Sequence, residues 1–512
     1  MIRFFAALLI AMTLSTAAFA AVTKTPKQLD ALYNSLDPSS ISQHLALHTL
    51  YPDTSQGRDA YDDAMHLLGS YDIEGLPTVT LPDNAVSAMV SLVALPAVGD
   101  GALSFSDEEC AMIQTLASPL ANRLLPGHHV TTEEEVLLLD DVDVDVARAL
   151  LLSCCDDDID TVASYEALLD LMALEVLASI PLDATPSDVI DALSHFIFDT
   201  MRFRFPPQSL YHKDIDYYTF LPSVLDSRRG VCLGVSTLYL CLGQRLGIAL
   251  DAVTPPGHIF LRHDNGDGTF INIETTARGI DIATEEYLGI NTRSLPVRSP
   301  KEVVGLTHFN QASVWWQQGE FRKALASYQK AMPYISDDSI AQEFLAYALI
   351  ASGEKREGKK LLKTINRITP PHLVRRDTLA DDYLDGNVDI DGITDLFTAT
   401  DETRSSLITK KIQLQNTLQN YPKFRAGHLA LATTLLQLNN TEGAIKALQR
   451  YHTLDPHDPT VEYYLATLYL ERIDYNNAYE HLNNAITITS SQNHNPKTLK
   501  KLSTTLSFLS PL

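Results

Sequence analysis

The sequence predicts a multidomain, mostly α-helical protein: a helical N-terminal region, a compact α+β domain and a C-terminal α-solenoid of repeated helix pairs. Three observations carry this. Apolar residues recur at three- and four-residue spacing through most of the chain, as on the buried face of a helix. Near residue 183 the texture changes, and β-branched and aromatic runs bounded by turns appear. From about residue 307 the chain repeats itself every 34 residues. A chain of 512 residues exceeds one ordinary hydrophobic core, so several domains are expected.

Composition narrows the class of partner. Hydrophobic residues make up 45% and charged residues 20%, the balance of a globular chain. The formal net charge is −25, which repels phosphate backbones and anionic lipid and excludes nucleic acid as a partner. Much of the acid lies in TTEEEVLLLDDVDVDVARALLLSCCDDDIDT, where leucines and valines interleave with carboxylates. Helices with a solvated acidic face explain that pattern.

Residues 1–20 read as a signal peptide. Arg3 is a minimal positive start, an apolar run follows, and Ala18-Phe19-Ala20 supplies the small residues of a cleavage site. The run is short for a membrane span, although an uncleaved anchor is the alternative. The expectation is an exported chain of bacterial type, in the periplasm or envelope or secreted, with no membrane span after signal cleavage.

Residues 21–182 form the expected helical N-terminal region. ISQHLALHTLY, VSAMVSLVAL, CAMIQTLASPLANRLL and YEALLDLMALEVLASI carry helical spacing, and Pro77, Pro82, Pro96 and Pro126 punctuate them. No chemical motif stands out here.

Residues 183–300 form the expected α+β domain. SDVIDALSHFIFDTMRFRF reads as a helix with Ser187 as N-cap. CLGVSTLYLCLGQRLGI reads as a buried helix closed by Gly247. ALDAVTP, HIFLRHD and TFINIET read as strands, the last two joined by an NGDG hairpin turn.

Residues 307–490 repeat. Gly319 and Gly353 are 34 residues apart, as are Asn439 and Ile473. Ala324, Ala444 and Ala478 each follow by five, and Pro422 and Pro456 share the period. Helix pairs of this length with small residues at the helix contact resemble tetratricopeptide repeats. Four repeats are clear, and one near 381–422 is degenerate. The resemblance implies a curved groove that takes a protein or peptide partner. Oligomeric state is not encoded in any pattern here.

The five cysteines form no disulfide framework. Cys154 and Cys155 are adjacent, and Cys110 is isolated. On one helix, Cys232 and Cys241 would face opposite sides about 14 Å apart along the axis, beyond disulfide reach. Cys241 reads as core. Cys232 is therefore a free thiol, and its setting suggests chemistry. It opens a helix, where the positive end of the dipole favours thiolate and free amides can receive an oxyanion. His258 follows the tight turn Pro255-Pro256-Gly257 and is expected to open a strand. Pairing Asp264 with Thr269 sets position 258 opposite 275, which brings Glu274 near His258 as a tautomer-fixing carboxylate. Glu274 could instead pair with Arg262 or Arg278. Arg229 is a candidate for a substrate carboxylate, or a salt-bridge partner of Asp226 or Glu274.

This order resembles the transglutaminase-like (papain-like cysteine protease) superfamily. The stretch Arg228-Arg229-Gly230, the run Leu238–Gly247, Pro256-Gly257-His258 and FINIETTARG are similar to a bacterial branch that joins such a domain to tetratricopeptide repeats. The resemblance covers about residues 185–300 and implies a triad of Cys232, His258 and Glu274. Glutamate stands where aspartate is usual, and Val231 and Ile259 replace flanking aromatics. Two readings follow. One is a cysteine-dependent acyl-transfer enzyme (peptidase, amidase or transglutaminase). The other is an inactive scaffold that works through its repeats.

Metal and cofactor signals are weak. Asp141, Asp143 and Asp145 alternate as in a calcium loop, but Val146 stands where glycine is needed. NVDIDGITDLFT has Gly392 in place but ends in Thr398. No histidine pair has zinc spacing, and there is no phosphate-binding loop. No metal or cofactor is expected.

Overall fold

In the computed structural model the described residues are 24–69, 80–93, 105–181, 183–206, 218–400 and 403–510. The signal peptide expected at 1–20 lies outside them. Among the described residues no helix is long and apolar enough to cross a membrane.

The chain divides into two compact units, 1–95 and 96–512. The division falls well before the expected boundary at 182. The first unit is a small helical body of Pro26–Tyr33, Ile41–Leu50, Ser55–Leu67 and Asp83–Val93. Thr25, Ser40 and Thr54 cap the first three of these helices, and Leu45, Ala60, Met65 and Met89 fill the core.

The second unit begins with helices that belong to the α+β core. Helices α1 (Val146–Cys154) and α2 (Ile159–Ser179) pack against α3 (Cys232–Arg245). The join is ionic as well as apolar. Arg245 Nε on α3 donates to Asp170 Oδ1 on α2 at 2.9 Å, and Arg123 also donates to that carboxylate. Asp145 caps α1 through the amides of Ala147 and Arg148 and accepts from His128 Nδ1 at 3.1 Å. Asp145 is thus committed to a helix cap and an imidazole, not to calcium. Asp389 caps the short helix that contains Gly392, so that near-miss is a helix start too. The DDDID run is exposed, as expected of solvated acid.

The helix of 186–195 starts at Pro186, and its cap is Thr185 rather than Ser187. Thr185 and Asp188 form a reciprocal capping box, which outcompetes a serine two residues later. The sheet is antiparallel in the order β3 (Phe270–Ile273), β2 (Phe260–Asp264), β1 (Asp251–Val253), β4 (Val297–Arg298). Helix α3 lies against β2 and is buried on all sides, with Leu238, Tyr239 and Leu242 at 0% exposure. Each such leucine contributes about 2 kcal/mol of apolar burial.

The solenoid follows. Its strong pairs are α4/α5 (Pro300–Gln317, Phe321–Ala331), α6/α7 (Ser339–Ala351, Lys355–Ile365), then, after the short helices α8 (Leu379–Leu384) and α9 (Ile390–Phe397) and the long α10 (Arg404–Asn420), α11/α12 (Arg425–Gln437, Thr441–Leu454) and α13/α14 (Pro459–Glu471, Tyr475–Ser491). Helix α15 (Lys497–Leu509) closes the stack. The 34-residue marks have a backbone meaning. Gly319, Gly353, Asn439 and Ile473 have φ of 76°, 102°, 59° and 61°, the left-handed turn between the two helices of a pair. Ala324, Ala444 and Ala478 are fully buried where the helices of each pair touch.

Candidate active site

Cys232 is the first residue of α3, and its thiol is partly exposed. Val231, the N-cap residue, offers no side-chain cap, so the first amides of the helix face the thiol's surroundings. Gly234 lets neighbouring backbone close in, since a Cβ there would meet Tyr218 O at 2.3 Å. Ser236 Oγ contacts Thr275 Oγ1 at 3.0 Å and ties the helix to the loop after β3.

His258 stands just before β2 rather than inside it. Pro255, Pro256, Gly257 and His258 form a turn closed by His258 N donating to Pro255 O at 3.0 Å. Gly257 has φ +73°, which this turn requires at its third position. His258 is thus fixed by a rigid turn at the strand's entry.

The hairpin register differs by one residue from the expected one. Asp264 pairs with Phe270 and Arg262 with Asn272, so even-numbered residues of both strands share a face. The five-residue turn from Asn265 to Thr269, closed by Asn265 N to Thr269 O, sets this register. It sets Glu274 and His258 on one face, where the expected register only brought them within one residue of each other across the hairpin. His258 Nε2 and Glu274 Oε2 are 2.8 Å apart.

Glu274 is 4% exposed and heavily committed. Thr276 donates from N at 3.1 Å and from Oγ1 at 2.5 Å to Oε1, and Tyr287 OH donates to Oε2 at 2.6 Å. Burial opposes the charge, but these donors and His258 outweigh it and hold the carboxyl down at about 2. For His258, burial also opposes the charge. Hydrogen bonds and charge from Cys232 and Glu274 prevail and push it up to about 10. With Nε2 on Glu274, Nδ1 is the nitrogen left for the thiol. The imidazole thus stands between the Cys232 thiol and the Glu274 carboxylate.

Glu274 does not pair with Arg262 or Arg278. Arg262 Nε donates to Asn272 Oδ1 at 2.9 Å, and Arg278 bonds Asp199. Arg229 is exposed, lies outside the cleft, and pairs with neither Asp226 nor Glu274; Asp226 instead accepts from Tyr165 OH at 2.9 Å. All five cysteines are free thiols, and Cys241 is core at 0% exposure.

The thiol and imidazole open into a cleft of about 820 Å³. One wall is Val231 to Leu233 and Thr254 to Ile259. The facing wall comes from the solenoid, including Phe309, Gln317, Ile340, Tyr463 and Tyr464. Glu343 and Asp377 also line it; burial, with Asp377 nearby, raises Glu343 to about 8. Sequence reasoning missed Tyr287, whose ring stacks on Phe260 at 4.3 Å and on His258 at 6.2 Å. It is a lone tyrosine in TEEYLG, with no pattern to single it out. Glu343 and Asp377 were missed because repeats were read for period, not for charge.

Residues 163–290 match the family described as the transglutaminase-like superfamily. The chain carries a transglutaminase-like domain. Among curated proteins, F-box only protein 21 of Mus musculus and that of Homo sapiens are each 30% identical over 92 residues, 17% of this chain. The match spans only 14% of each relative's length. Among solved structures, MamA from Desulfovibrio magneticus is 16% identical and covers 37% of this chain and 96% of its own, with a TM-score of 0.19. A TPR protein of Thermus thermophilus is 17% identical over 40% of this chain and 97% of its own, at 0.20. These superpositions are too loose to add to the repeat geometry above. The matched interval starts inside α2, so the transglutaminase-like domain takes in the helix that holds Arg245 through Asp170.

Proposed function

We propose that this protein is an exported, cysteine-dependent acyl-transfer enzyme that acts on a peptide or protein segment held between its transglutaminase-like domain and its tetratricopeptide wall. The observation that carries this is the opening of Cys232 and His258, backed by Glu274, into a cleft whose far side is solenoid.

The chemistry follows from the geometry. The Cys232 thiolate attacks a carboxamide carbonyl, a C–S bond forms, and the carbonyl electrons move to oxygen. The unpaired amides at the start of α3 face that oxyanion. The His258 imidazolium gives its proton to the leaving nitrogen, the C–N bond breaks, and a thioester remains. Water or a primary amine then attacks the thioester and passes its proton to His258, and the C–S bond breaks. Water makes the enzyme a peptidase or amidase, and an amine makes it a transglutaminase. Glu274 fixes the imidazole's orientation and supports its charge throughout.

The test is acylation by an activated ester, read by peptide mass mapping. One acyl group on Cys232, lost in His258→Ala, supports the proposal. A Cys232 that stays unacylated while exposed lysines react leaves the scaffold reading, with function carried by the repeats alone.

A further inference from the structure

A second cluster of ligating side chains lies in the last strong helix pair and its neighbour. His452 is on α12, Glu462 on α13 and His481 on α14. His452 Nδ1 is 2.6 Å from Glu462 Oε1, and His481 Nδ1 is 2.8 Å from Oε2. The three ligand atoms all lie within 4.8 Å of one another. Glu462 is 0% exposed, and Asn484 Nδ2 also donates to its Oε2 at 3.0 Å.

A buried carboxylate needs a compensating charge. Among the described residues, the ion pairs of Glu462 are with the two imidazoles alone. The contrast is the equally compact trio His128, Asp145 and Glu166. There Arg148 Nε holds Glu166 at 2.9 Å, Arg123 bonds His128, and the charge of Arg245 acts on Asp145. Guanidinium groups already balance that trio, and a second cation has no place in it. The Glu462 trio has no such guanidinium.

We propose that His452, Glu462 and His481 bind a divalent transition-metal ion, with zinc the best fit. Two imidazole nitrogens and one carboxylate oxygen are a recurrent zinc set with a fourth position left for water. Zinc bonds near 2.0–2.1 Å put ligand atoms about 3.3 Å apart, so the present contacts open by roughly half an ångström. The His452 side chain is 32% exposed and free to make that shift, and its side of the cluster gives the ion and its water a way in. Around the ligands, Asn484 holds the carboxylate. The Tyr469 ring lies 4° from parallel to the His481 ring at 5.5 Å, which fixes that ring's plane. The ligands fall outside the usual local motifs because they sit on separate helices, His452 ten residues before Glu462 and His481 nineteen after it. The ion would tie α12, α13 and α14 together. Helix α13 also carries Tyr463 and Tyr464 of the cleft wall, so metal would stiffen that wall.

The experiment is calorimetric titration of chelator-stripped full-length protein with zinc at about pH 7.5, where imidazoles are available as ligands. Free thiols such as Cys154, Cys155 and Cys232 can also take zinc, so the readout is a difference between variants. The His452→Gln/His481→Gln protein is expected to bind one equivalent fewer than wild type and to lose a zinc-dependent rise in Tm. The single His452→Gln change, at a partly exposed side chain, keeps the fold and weakens that equivalent at least about tenfold. Equal stoichiometry and equal Tm shifts in all three proteins overturn the proposal. So does the absence of saturable binding by wild type below about 1 mM.

Discussion

Glu274→Gln tests the triad most directly. Glutamine keeps the length of the side chain and one acceptor oxygen, so His258 Nε2 retains a partner while the charge is lost. A carboxylate and an imidazolium about 4 Å apart attract by roughly 4 kcal/mol at an effective dielectric of 20. His258 is 27% exposed on its side chain, and solvent from the cleft reduces this to about 2–3 kcal/mol. At 1.36 kcal/mol per unit, His258 should fall by about 2 pKa units from its present value near 10. The assay is an NMR titration of the His258 ring. Alongside it, iodoacetamide alkylation of Cys232 is resolved by peptide mapping across pH, and the pH at which its rate loses the imidazolium's contribution should fall by about 2 units. Stability carries the same signature. A His258 value raised above 6.5 stabilises the fold fully below that pH, and the gain is lost as pH rises through about 10. A Glu274 value lowered from 4.5 stabilises above that pH, and the gain is lost as pH falls through about 2. The variant should flatten both limbs. A His258 that titrates within half a unit of wild type in Glu274→Gln refutes the electrostatic account of this site.

The other predictions concern the supports of the site and the solenoid. Tyr287→Phe removes the 2.6 Å donor to Glu274 but keeps the ring stack, so it should raise the Glu274 value by about one unit with a melting temperature near wild type; an unchanged carboxylate titration argues against it. Gly234→Ala drives a methyl into the Tyr218 carbonyl and should cost at least about 2 kcal/mol in urea unfolding, and a neutral result would contradict the close packing of 218–219 on α3. Asp170→Ala takes from buried Arg245 its direct ion-pair partner, for a loss of about 3 kcal/mol by the same measurement. Ile473 is a β-branched residue at φ 61° and is exposed, so Ile473→Asn should stabilise by about 1 kcal/mol, and a lower melting temperature would count against strain at that turn.

Much of this was legible because it is local. The 34-residue marks record a left-handed backbone turn in each strong pair and a buried small residue five positions on, alanine in three pairs and Gly358 in the fourth, both set within one helix pair. The grouping of Cys232, His258 and Glu274 was legible because Cys232 opens a helix, His258 ends a proline-glycine turn, and Glu274 follows the paired strand. What escaped is non-local or turns on a single residue. The hairpin register depends on how the Asn265–Thr269 turn closes, and a slip of one reverses the face. Tyr287 reaches Glu274 across a loop. The two-unit division escaped because α1 and α2 have the same apolar texture as the helices before them, and only tertiary packing on α3, with the Arg245–Asp170 pair, reveals which body they join. The His452–Glu462–His481 cluster spans three helices, so no spacing announces it.

The cleft's two walls come from segments far apart in the chain, one bearing the thiol and imidazole and the other built from repeats. Under the proposed function, changes on the repeat side would alter which chains are admitted without touching Cys232, His258 or Glu274. Selectivity would then be a replaceable part, and grafting a foreign repeat wall opposite Cys232 would be a route to redirecting it.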